Sequence, residues 1–562
     1  MNIKKHIILV LILIFAFIIR FNNLRTTPVA LFGDETDIGY QAYSILKTGK
    51  DYSGNPFPVY FQSFFEHRMP LQVYLTVPFT IFGLNEYTVR LPSMIMGILN
   101  ILTLYLLLKI CLKKKLENKI IPLVSALVLA TSPWHIHYSR LAFDVNLMLF
   151  LILLGFIFLF KSQKNLNLLP FAIFSFGLSF YAYSTSIIFL ILLLPIYFLI
   201  YRDKYLPSLK NNKKRFIPSI FIAVIISLPL FFSIFSGEAS TRFSGINITK
   251  DQLIIDKIIG YRSQDEDFGR LFHNKLLEYP RAFFTNYLQA LSPYFLYIKG
   301  DPIVRHSVPD FGLLLFGTFP LLLLGLIFSG KPSKLYIFFL TWLLIAPISS
   351  SLTINGGNQA TRLYLMLPAL MFFIAKGVVV LKQLLTGRLF YISFLLIFFI
   401  LTLELSCWFH QYYRHYNIQS WENYGYGHKE ISKFIKDNYE KYDRIIINND
   451  RTPWLSDYLF WTETDPRWFQ ENFDGIEYKD GFMENFKGFS FGKVYFGNFL
   501  EPQKALNQLT SKDAWITYQN TAEIPGDWDW LKEPPDKIKV QLQVKQPDGK
   551  TPYLYIISKS NE

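Results

Sequence analysis

The sequence contains few charged residues and almost no cysteine. Only 17% of its 562 residues are charged and 51% are hydrophobic, whereas soluble proteins carry about 25% charged residues. So few charges exclude an ordinary soluble enzyme and indicate that much of the surface faces lipid. The two cysteines, Cys111 and Cys407, are too few for a disulfide framework, and the topology derived below places them on opposite membrane faces.

The chain also lacks a glycine-rich phosphate loop, an internal repeat and a low-complexity tract. Its net charge of +14 does not indicate nucleic acid, because the basic residues cluster in short connections between apolar runs, as at 113–115 and 213–215. This is the pattern of cytoplasmic loops under the positive-inside rule. It predicts membrane lipids, and no nucleic acid, as partners.

Apolar runs long enough to cross a bilayer recur along the chain. A span needs about 17 to 25 such residues, and about eleven runs qualify: 6–21, 91–111, 120–138, 143–160, 167–184, 186–201, 216–236, 310–328, 334–353, 360–381 and 389–409. With a cytoplasmic N-terminus, every lysine-rich connection falls inside, and the odd number of spans places the C-terminal part outside. Residues 1–21 are expected to be an uncleaved first span, because no small-residue cleavage site follows them.

Two long external segments, residues 22–90 and 237–309, lie between these spans. Their moderately apolar stretches at 38–46, 70–82 and 271–291 mix Tyr, Gln and Asn with aliphatic residues. This composition predicts helices that lie along the membrane interface. For the stretch at 70–82, the alternative that it forms one half of a re-entrant hairpin stays open.

From about residue 411 the composition becomes that of a soluble domain. We predict an amphipathic helix at 428–442, and strands at 444–448, 493–496 and 514–518. The runs at 540–545 and 553–558 flank Gln-Pro-Asp-Gly-Lys, which predicts a β-hairpin. The expected fold class is therefore a polytopic α-helical membrane protein, residues 1–410, with a small extracytoplasmic α/β domain at 411–562.

Carboxylates stand near two external membrane boundaries. Asp34, Glu35 and Asp37 follow the first span, and Asp144 begins the fourth. Such groups cost free energy unless they are solvated or paired, so they are functional candidates. The simpler alternatives are a solvated loop for the first group and a helix N-cap for Asp144. Because both acids lie on the same membrane face, they could divide acid and base roles at one site.

Basic residues mark a third candidate group. Arg305, His306 and Arg362 lie at external ends of spans, where the positive-inside rule does not favour them. A guanidinium there could bind a phosphate through two parallel hydrogen bonds. The alternative is an anchor whose charged end reaches the headgroups.

Three adjacent ionisable residues, Glu66, His67 and Arg68, precede the apolar stretch at 70–82. Two candidate ligands, Glu66 and His67, fix no coordination geometry, so no metal site is predicted there. No cofactor is indicated by the sequence, and a requirement for a divalent cation stays open.

Several short motifs carry a family resemblance. They are GDE at 33–35, AYSILKTG at 42–49, GNPFP at 54–58, PL at 70–71, FGLNE at 82–86 and RLPS at 90–93. Further along stand SP at 132–133, SR at 139–140, Asp144, and RL at 362–363 ahead of LP at 367–368. The pattern resembles the GT-C membrane glycosyltransferases, in the branch of the protein O-mannosyltransferase, ArnT-like and RgtA-like enzymes. The likeness is specific over about the first 150 residues and extends in architecture to about residue 410.

The resemblance implies a fold of about eleven to thirteen spans, a polyprenyl-phosphate sugar as donor, and a catalytic acid in the first external loop. Asp34 matches that catalytic aspartate, Glu35 its usual neighbour, and Asp144 the second acid of the family. Glu66 matches an acid that ArnT-like members carry before a basic residue and proline, but His67 and Met69 depart from the pattern.

The predicted function is inverting transfer of a sugar to a hydroxyl of a lipid, glycan or protein acceptor at the outer face of the plasma membrane. Asp34 is the expected general base, and Glu35 and Asp144 would orient it or the acceptor. A cationic group of four residues would stabilise the leaving phosphate: Arg362, Arg305, His306 and Arg140. Nucleotide sugars are cytosolic, so an outward site needs a lipid-linked donor.

Two alternatives share much of this pattern. A transporter or lipid flippase would place polar residues near the bilayer midplane, on broken helices in repeated halves. Here the spans are nearly free of charge and the acids cluster on one face, which favours surface chemistry. A ligase that transfers a whole lipid-linked oligosaccharide has the same topology and donor chemistry, so it stays open.

Overall fold

The structure is a computed structural model of the chain. It describes residues 3–63, 67–112, 120–211, 213–235, 245–265, 268–328, 330–448, 454–473, 479–480, 483, 486–499, 506–518 and 529–560. The chain divides into two compact units. The helical unit comprises Met1–Asn22, Glu66–Gln72 and Pro92–Gln411, and the sheet unit comprises Asn23–Phe65, Val73–Leu91 and Tyr412–Glu562.

Helices dominate the described chain. In chain order they are α1 (Ile3–Phe21), α2 (Gly33–Thr48), α3 (Pro70–Thr76), α4 (Glu86–Cys111), α5 (Ile121–Thr131), α6 (Pro133–Tyr138), α7 (Val145–Ser162), α8 (Leu169–Phe180), α9 (Thr185–Ile200), α10 (Arg202–Asn211), α11 (Ile217–Phe235), α12 (Gln252–Gln264), α13 (Gly269–Phe272), α14 (Lys275–Ala290), α15 (Phe319–Ile327), α16 (Lys334–Ile345), α17 (Ile348–Ser351), α18 (Leu367–Leu384), α19 (Gly387–His410), α20 (Tyr416–Ser420), α21 (His428–Asn438), α22 (Trp454–Thr462) and α23 (Pro466–Asn472).

Strands occur mainly after residue 440. Within the described ranges they are β1 (Phe61–Gln62), β2 (His67–Arg68), β3 (Arg444–Asn448), β4 (Lys479–Asp480), β5 (Phe486–Phe491), β6 (Val494–Phe499), β7 (Asp513–Tyr518), β8 (Ile538–Lys545) and β9 (Pro552–Lys559). The predicted fold class, a helical membrane protein with a C-terminal α/β domain, is therefore confirmed.

Six described helices are long and apolar enough to cross a membrane: Glu86–Cys111, Val145–Ser162, Lys214–Ser233, Lys334–Ser351, Tyr364–Leu384 and Gly387–Asn423. Shorter apolar helices occupy the other predicted spans: His6–Phe21, Ile121–Thr131, Leu166–Phe180, Thr185–Ile200 and Phe316–Ile327. The break between the fifth and sixth spans is confirmed, because α8 ends at Phe180 and α9 begins at Thr185. The chain is an integral membrane protein, and the number of spans stays a prediction.

Glycines let two helices of the helical unit approach closely. A Cβ atom at Gly325 of α15 would overlap the carbonyl oxygen of Phe373 in α18, and one at Gly377 of α18 would overlap that of Leu321 in α15. Small residues at such crossings are typical of membrane helices, because packing rather than the hydrophobic effect holds helices together in lipid. This reciprocal pair fixes the distance between α15 and α18.

The stretch predicted at 271–291 as an interfacial helix is α14, and it has the exposed apolar residues that this location needs. Leu276 is 82% exposed and Leu288 is 66% exposed. The stretch predicted at 38–46 is different. It forms the C-terminal part of α2, whose residues from Glu35 to Ala42 are buried in the sheet unit. Because Tyr43 is half-buried and Leu46 is 39% exposed, the stretch keeps only a small exposed face, and its location at the membrane interface stays a prediction.

The sheet unit contains a seven-stranded mixed sheet in the order β4-β5-β6-β3-β7-β9-β8. Its central strand β3 is parallel to β6 and β7, and the remaining pairs are antiparallel. The predicted strand at 444–448 and the predicted hairpin are confirmed as β3 and the pair β8–β9. Strand β5 and helices α22 and α23 were not predicted.

Helix α2 of the first external loop packs on α22 of the C-terminal region, and both belong to the sheet unit. The contact is close at Gly39, where a Cβ atom would overlap the ring of Phe460 and lie 2.8 Å from a methyl carbon of Val89. Tyr40 adds a hydrogen bond of 3.0 Å from its hydroxyl to the carbonyl oxygen of Thr464. The first loop and the C-terminal region thus fold together, an association that the sequence did not indicate.

Candidate active site

Asp34 lies in the first turn of α2 and is half-buried. The helix begins directly after Phe32, whose backbone is extended with φ −96° and ψ 164°. An acid in the first turn is stabilised by the unpaired amides and the positive end of the helix dipole. Asp34 therefore has a defined position on a helix, and not the variable position of a loop acid.

Glu35 is fully buried and forms a two-point ion pair with Arg90. Both carboxylate oxygens of Glu35 lie 3.1 Å from guanidinium nitrogens of Arg90. One of them also accepts the backbone amide of Phe32 at 3.3 Å, which joins the ion pair to the start of α2. Glu35 thus fixes the turn that carries Asp34, and the orienting role predicted for it in catalysis stays a prediction.

Arg90 uses every N–H group that it has. Besides Glu35, its terminal nitrogens donate to the carbonyl oxygens of Leu24 at 2.9 Å, Pro28 at 3.2 Å and Ala30 at 2.6 Å. A guanidinium carries five donors in a fixed plane, and here two of them bind Glu35 of α2 and three bind the segment before α2. This arrangement explains why the matching motif RLPS begins with arginine.

The alternative of a solvated loop fails for two of the three acids of this segment. Glu35 is 0% exposed and Asp37 is 3% exposed. Buried carboxylates require partners in the fold, since an unpaired buried charge is costly. Of the three, Asp34 is the one that keeps partial access to solvent.

Asp144 precedes α7 in the helical unit and is 8% exposed. Its backbone is already helical, with φ −59° and ψ −24°, and its side chain caps no backbone amide. An N-cap residue has an extended backbone and accepts an amide of the first turn. The structural alternative of a capping aspartate is therefore wrong in its simple form, and a role in chemistry stays a prediction.

Arg140 is fully buried and serves the end of α1. One terminal nitrogen donates to the carbonyl oxygens of Ile19 at 3.1 Å, Arg20 at 2.8 Å and Asn22 at 2.6 Å. These carbonyls are the groups that a helix C-terminus leaves unpaired, and a cation there also opposes the helix dipole. Arg140 is thus a helix-capping residue, and its predicted phosphate role stays a prediction.

His135 lies in α6 and is fully buried. Arg20 donates to its Nδ1 at 2.8 Å, and arginine has no acceptor, so the ring proton must be on Nε2. With its Nδ1 accepting this bond, the imidazole is neutral in this geometry, and it is not an anion-binding group.

Three segments of the helical unit that carry predicted site residues contact one another. Tyr138 Oη lies 2.8 Å from Thr361 Oγ1, and His137 Nε2 donates to the carbonyl oxygen of Arg305 at 2.8 Å. Residues far apart in the sequence are thereby brought to one region.

Asp301 organises this region. It accepts the amides of Ile303 at 2.8 Å and Ala360 at 2.7 Å, and Nδ1 of His306 at 3.2 Å. The ring of His306 also meets that of Phe143 edge-on, with centroids 5.8 Å apart. Asp301 thus ties the segment of Arg305 and His306 to the segment that leads to Arg362.

Arg362 is half-buried, and its guanidinium hydrogen-bonds to the segment at 353–354. Its Nη1 donates to Thr353 Oγ1 at 2.6 Å and to the carbonyl oxygen of Ile354 at 3.3 Å. These bonds fix the plane of the guanidinium, whereas a headgroup anchor would be free to move. The fixed plane favours the recognition of a planar or tetrahedral anion.

A cavity of about 300 Å³ adjoins Asp301 in the helical unit. Its lining includes Lys299, Asp310 and Asn358, none of which the sequence singled out. No local pattern could have found them, because the cavity is formed by two chain segments that meet only in the fold.

The remaining acceptor-side candidates are only partly described. His67 is half-buried and Arg68 is 4% exposed, both in β2, whereas Glu66 lies outside the described residues. Within the described ranges, no group of three or more His, Cys, Asp and Glu side chains is placed to hold a metal ion.

These features define a class of protein: a helical membrane protein whose segment after α1 carries a half-buried carboxylate, Asp34, in the first turn of a helix. The family model for dolichyl-phosphate-mannose-protein mannosyltransferases matches residues 70–232. No curated protein sequence matches the chain.

Two solved structures of ArnT from Cupriavidus metallidurans match nearly the whole chain. The form bound to undecaprenyl phosphate aligns with a TM-score of 0.53 at 12% identity, over 97% of each chain. The apo form aligns with a TM-score of 0.52 at 11% identity, over 99% of this chain and 98% of that one. The chain therefore has the ArnT fold, and the match of residues 70–232 to the mannosyltransferase model agrees with the family resemblance seen in the sequence.

An archaeal oligosaccharyltransferase, AglB from Archaeoglobus fulgidus, aligns more weakly. Its TM-score is 0.45 at 15% identity, over 81% of this chain and 63% of that chain. A TM-score below 0.5 is too low to support a conclusion about the present chain.

Proposed function

We propose that the chain is an inverting glycosyltransferase that moves a sugar from a polyprenyl-phosphate donor to an acceptor hydroxyl. The observation that carries the proposal is Asp34: a partly exposed carboxylate in the first turn of α2, on a turn fixed by the buried pair of Glu35 and Arg90. The ArnT fold over nearly the full length supports the reaction class. The undecaprenyl phosphate bound to that relative supports a lipid-phosphate donor.

In the proposed reaction, the acceptor oxygen attacks the anomeric carbon while its proton passes to a carboxylate oxygen of Asp34. The bond between the anomeric carbon and the phosphate oxygen breaks on the opposite side, so the configuration inverts and polyprenyl phosphate leaves. General-base help of this kind is worth about 100- to 10,000-fold. Glu35 positions Asp34, and Asp144 is assigned to orient the acceptor.

The leaving phosphate gains negative charge and needs cationic partners. Arg362, Arg305 and His306 are assigned to it, because Asp301 ties their segments together in the helical unit. Fixed cations aimed at a developing charge are often the largest single contribution to catalysis. Arg140 is a weaker candidate, since one of its nitrogens is used by the end of α1.

The reaction is assigned to the outer face of the plasma membrane, with a cytoplasmic N-terminus. The basic connections at alternate ends of the spans support this orientation. The shared fold of the first loop and the C-terminal region supports their location on one side.

The proposal is tested with the purified full chain in sealed proteoliposomes and a panel of polyprenyl-phosphate sugars. We expect release of free polyprenyl phosphate that depends on an added acceptor. Transport of a lipid-linked sugar across the membrane without cleavage of the phosphate bond would instead establish a flippase and refute the proposal.

A further inference from the structure

The C-terminal region touches the first turn of α2 through a buried carboxylate. Thr36 donates from Oγ1 to Asp457 Oδ1 at 2.5 Å, and Asp457 lies on α22. Thr36 is 0% exposed and Asp457 is 1% exposed. Thr36 is two residues from Asp34, in the same helical turn, so its position and that of Asp34 are linked through the backbone.

The other oxygen of Asp457 is held by a histidine. His428 Nδ1 lies 2.5 Å from Asp457 Oδ2, and a carboxylate can only accept there, so the imidazole donates. The ring of His428 stacks on Trp454 with centroids 3.4 Å apart, and Trp454 Nε1 donates to the hydroxyl of Tyr518 at 3.0 Å. Both oxygens of Asp457 are therefore used, and its rotation is fixed.

A second bond from the C-terminal region lies just before α2. The amide of Gly425 donates to the carbonyl oxygen of Leu31 at 2.9 Å. Together with the bond to Thr36, it holds the chain on both sides of Asp34. Packing of α2 on α22 at Gly39 needs no polar group, so packing alone does not explain a buried carboxylate at this turn.

We infer that Asp457, oriented by His428, is a positioning residue that sets Asp34 through the hydroxyl of Thr36. This assigns a function to the C-terminal region: it fixes the turn that carries the proposed base. The expected effect of Asp457 on the reaction rate rests on the proposed function of Asp34. Its expected effect on the first turn of α2 rests on the geometry alone.

The test compares Thr36→Val, which removes the hydroxyl and keeps the shape, with Thr36→Ser, which keeps the hydroxyl. Two measurements are made on the full-length protein: hydrogen exchange of the amides in the first turns of α2, and kcat and KM for the donor. Thr462→Val is the matched control, because Thr462 is a buried threonine of α22 whose hydroxyl bonds to Tyr458 of its own helix.

We expect faster exchange at the start of α2 in Thr36→Val and a fall in kcat of about 10- to 100-fold with KM unchanged, since small misplacements of a catalytic group have effects of this size. Thr36→Ser should keep the wild-type exchange rate at the start of α2 and the wild-type kcat. The double variant Asp457→Asn/Thr36→Val should lose no more kcat than the more damaged of the two single variants. Losses that multiply in the double variant would overturn the inference.

The two proposals fail in different ways. Unchanged exchange at α2 in Thr36→Val, whatever the activity, would overturn the positioning role. The Thr36 hydroxyl also lies 3.0 Å from the carbonyl oxygen of Gly33, so the link to Asp457 requires faster exchange in Asp457→Asn as well as in Thr36→Val. Faster exchange in both variants, with an Asp34→Asn variant that is fully active, would uphold the link from Asp457 to α2 and overturn the proposed base.

Discussion

Glu35 and Arg90 show how one buried side-chain pair can serve both folding and chemistry. Neither side chain is exposed, and Arg90 has no N–H group left for another partner. Glu35→Gln should leave the arginine with an uncompensated buried charge and lower the free energy of unfolding by about 3 to 5 kcal/mol. Thermal unfolding of the purified chain measures the loss.

The control for this prediction is Glu440→Gln, because Glu440 is 88% exposed and pairs with Lys493 at the surface. Surface pairs contribute about 0 to 1 kcal/mol, so this variant should unfold at nearly the wild-type temperature. A Glu35→Gln protein as stable as the Glu440→Gln protein would contradict the role given to the buried pair.

Arg362 tests the assignment of the leaving phosphate. Lysine keeps the charge but lacks the planar fork that Thr353 and Ile354 hold in place, so Arg362→Lys should reduce turnover by about 10-fold, the effect of losing roughly one charge-assisted hydrogen bond. Arg281→Lys is the control, because Arg281 is 68% exposed and its partner Glu278 is also bound by Lys257. Equal turnover in the two variants would make Arg362 a structural residue.

At the scale of elements, the crossing of α15 and α18 depends on two glycines. A side chain at Gly377 would overlap the carbonyl oxygen of Leu321, which is backbone and cannot move aside. Gly377→Val should therefore force the helices apart and reduce both the yield of folded protein and its unfolding temperature. Overpacking of a close contact costs about 1 to 3 kcal/mol or more.

Gly260 in α12 provides the matched control, because a Cβ atom there would meet no atom within 4 Å. Gly260→Ala should be neutral or stabilising by about 0.5 to 1 kcal/mol, from helix propensity alone. A destabilised Gly260→Ala protein, or an unaffected Gly377→Val protein, would show that helix packing does not decide these outcomes.

Elements with strong local patterns could be predicted from the sequence. The strand Arg444–Asn448 has a β-branched run, and the β8–β9 hairpin has a Pro-Asp-Gly turn. Strand β5, with the sequence FKGFSF, was missed because its glycine removes a strand signal. That glycine is needed because a Cβ atom at Gly488 would overlap the carbonyl oxygen of Phe496 on the next strand.

The location of α2 could not be predicted for a different reason. Its apolar residues are covered by α22, which follows about 400 residues later in the chain, so the composition of α2 alone resembles that of an interfacial helix. The bond from Thr36 to Asp457 joins residues 421 positions apart. Asp34 and Glu35 could be identified from the family motif, whereas Asp457 and His428 carry no local signal.

At the scale of the whole molecule, the topology makes a direct prediction. Lys50 of the first loop and Lys550 of the β8–β9 turn are both exposed and both belong to the sheet unit. In a chain without Cys111 and Cys407, single cysteines at these positions should both react with a membrane-impermeant thiol reagent added outside the cell. A cysteine at the exposed Lys331, in a basic connection, should react only after lysis.

Labelling of Lys50 and Lys550 from opposite sides would contradict the shared fold of the first loop and the C-terminal region. Labelling of both from inside would keep that fold and reverse the orientation. The second outcome would also contradict a lipid-linked donor at the outer face.

The central claim is that Asp34 accepts the proton of the acceptor hydroxyl, and Asp34→Asn tests it most directly. Asparagine keeps the shape but cannot act as a base, so single-turnover release of polyprenyl phosphate should fall by about 100-fold or more, with donor binding unchanged. Asp37 is an unsuitable control because it is buried, so the control is Asp437→Asn, an exposed acid of α21 that should keep wild-type turnover. An Asp34→Asn protein that turns over as fast as Asp437→Asn would contradict the claim.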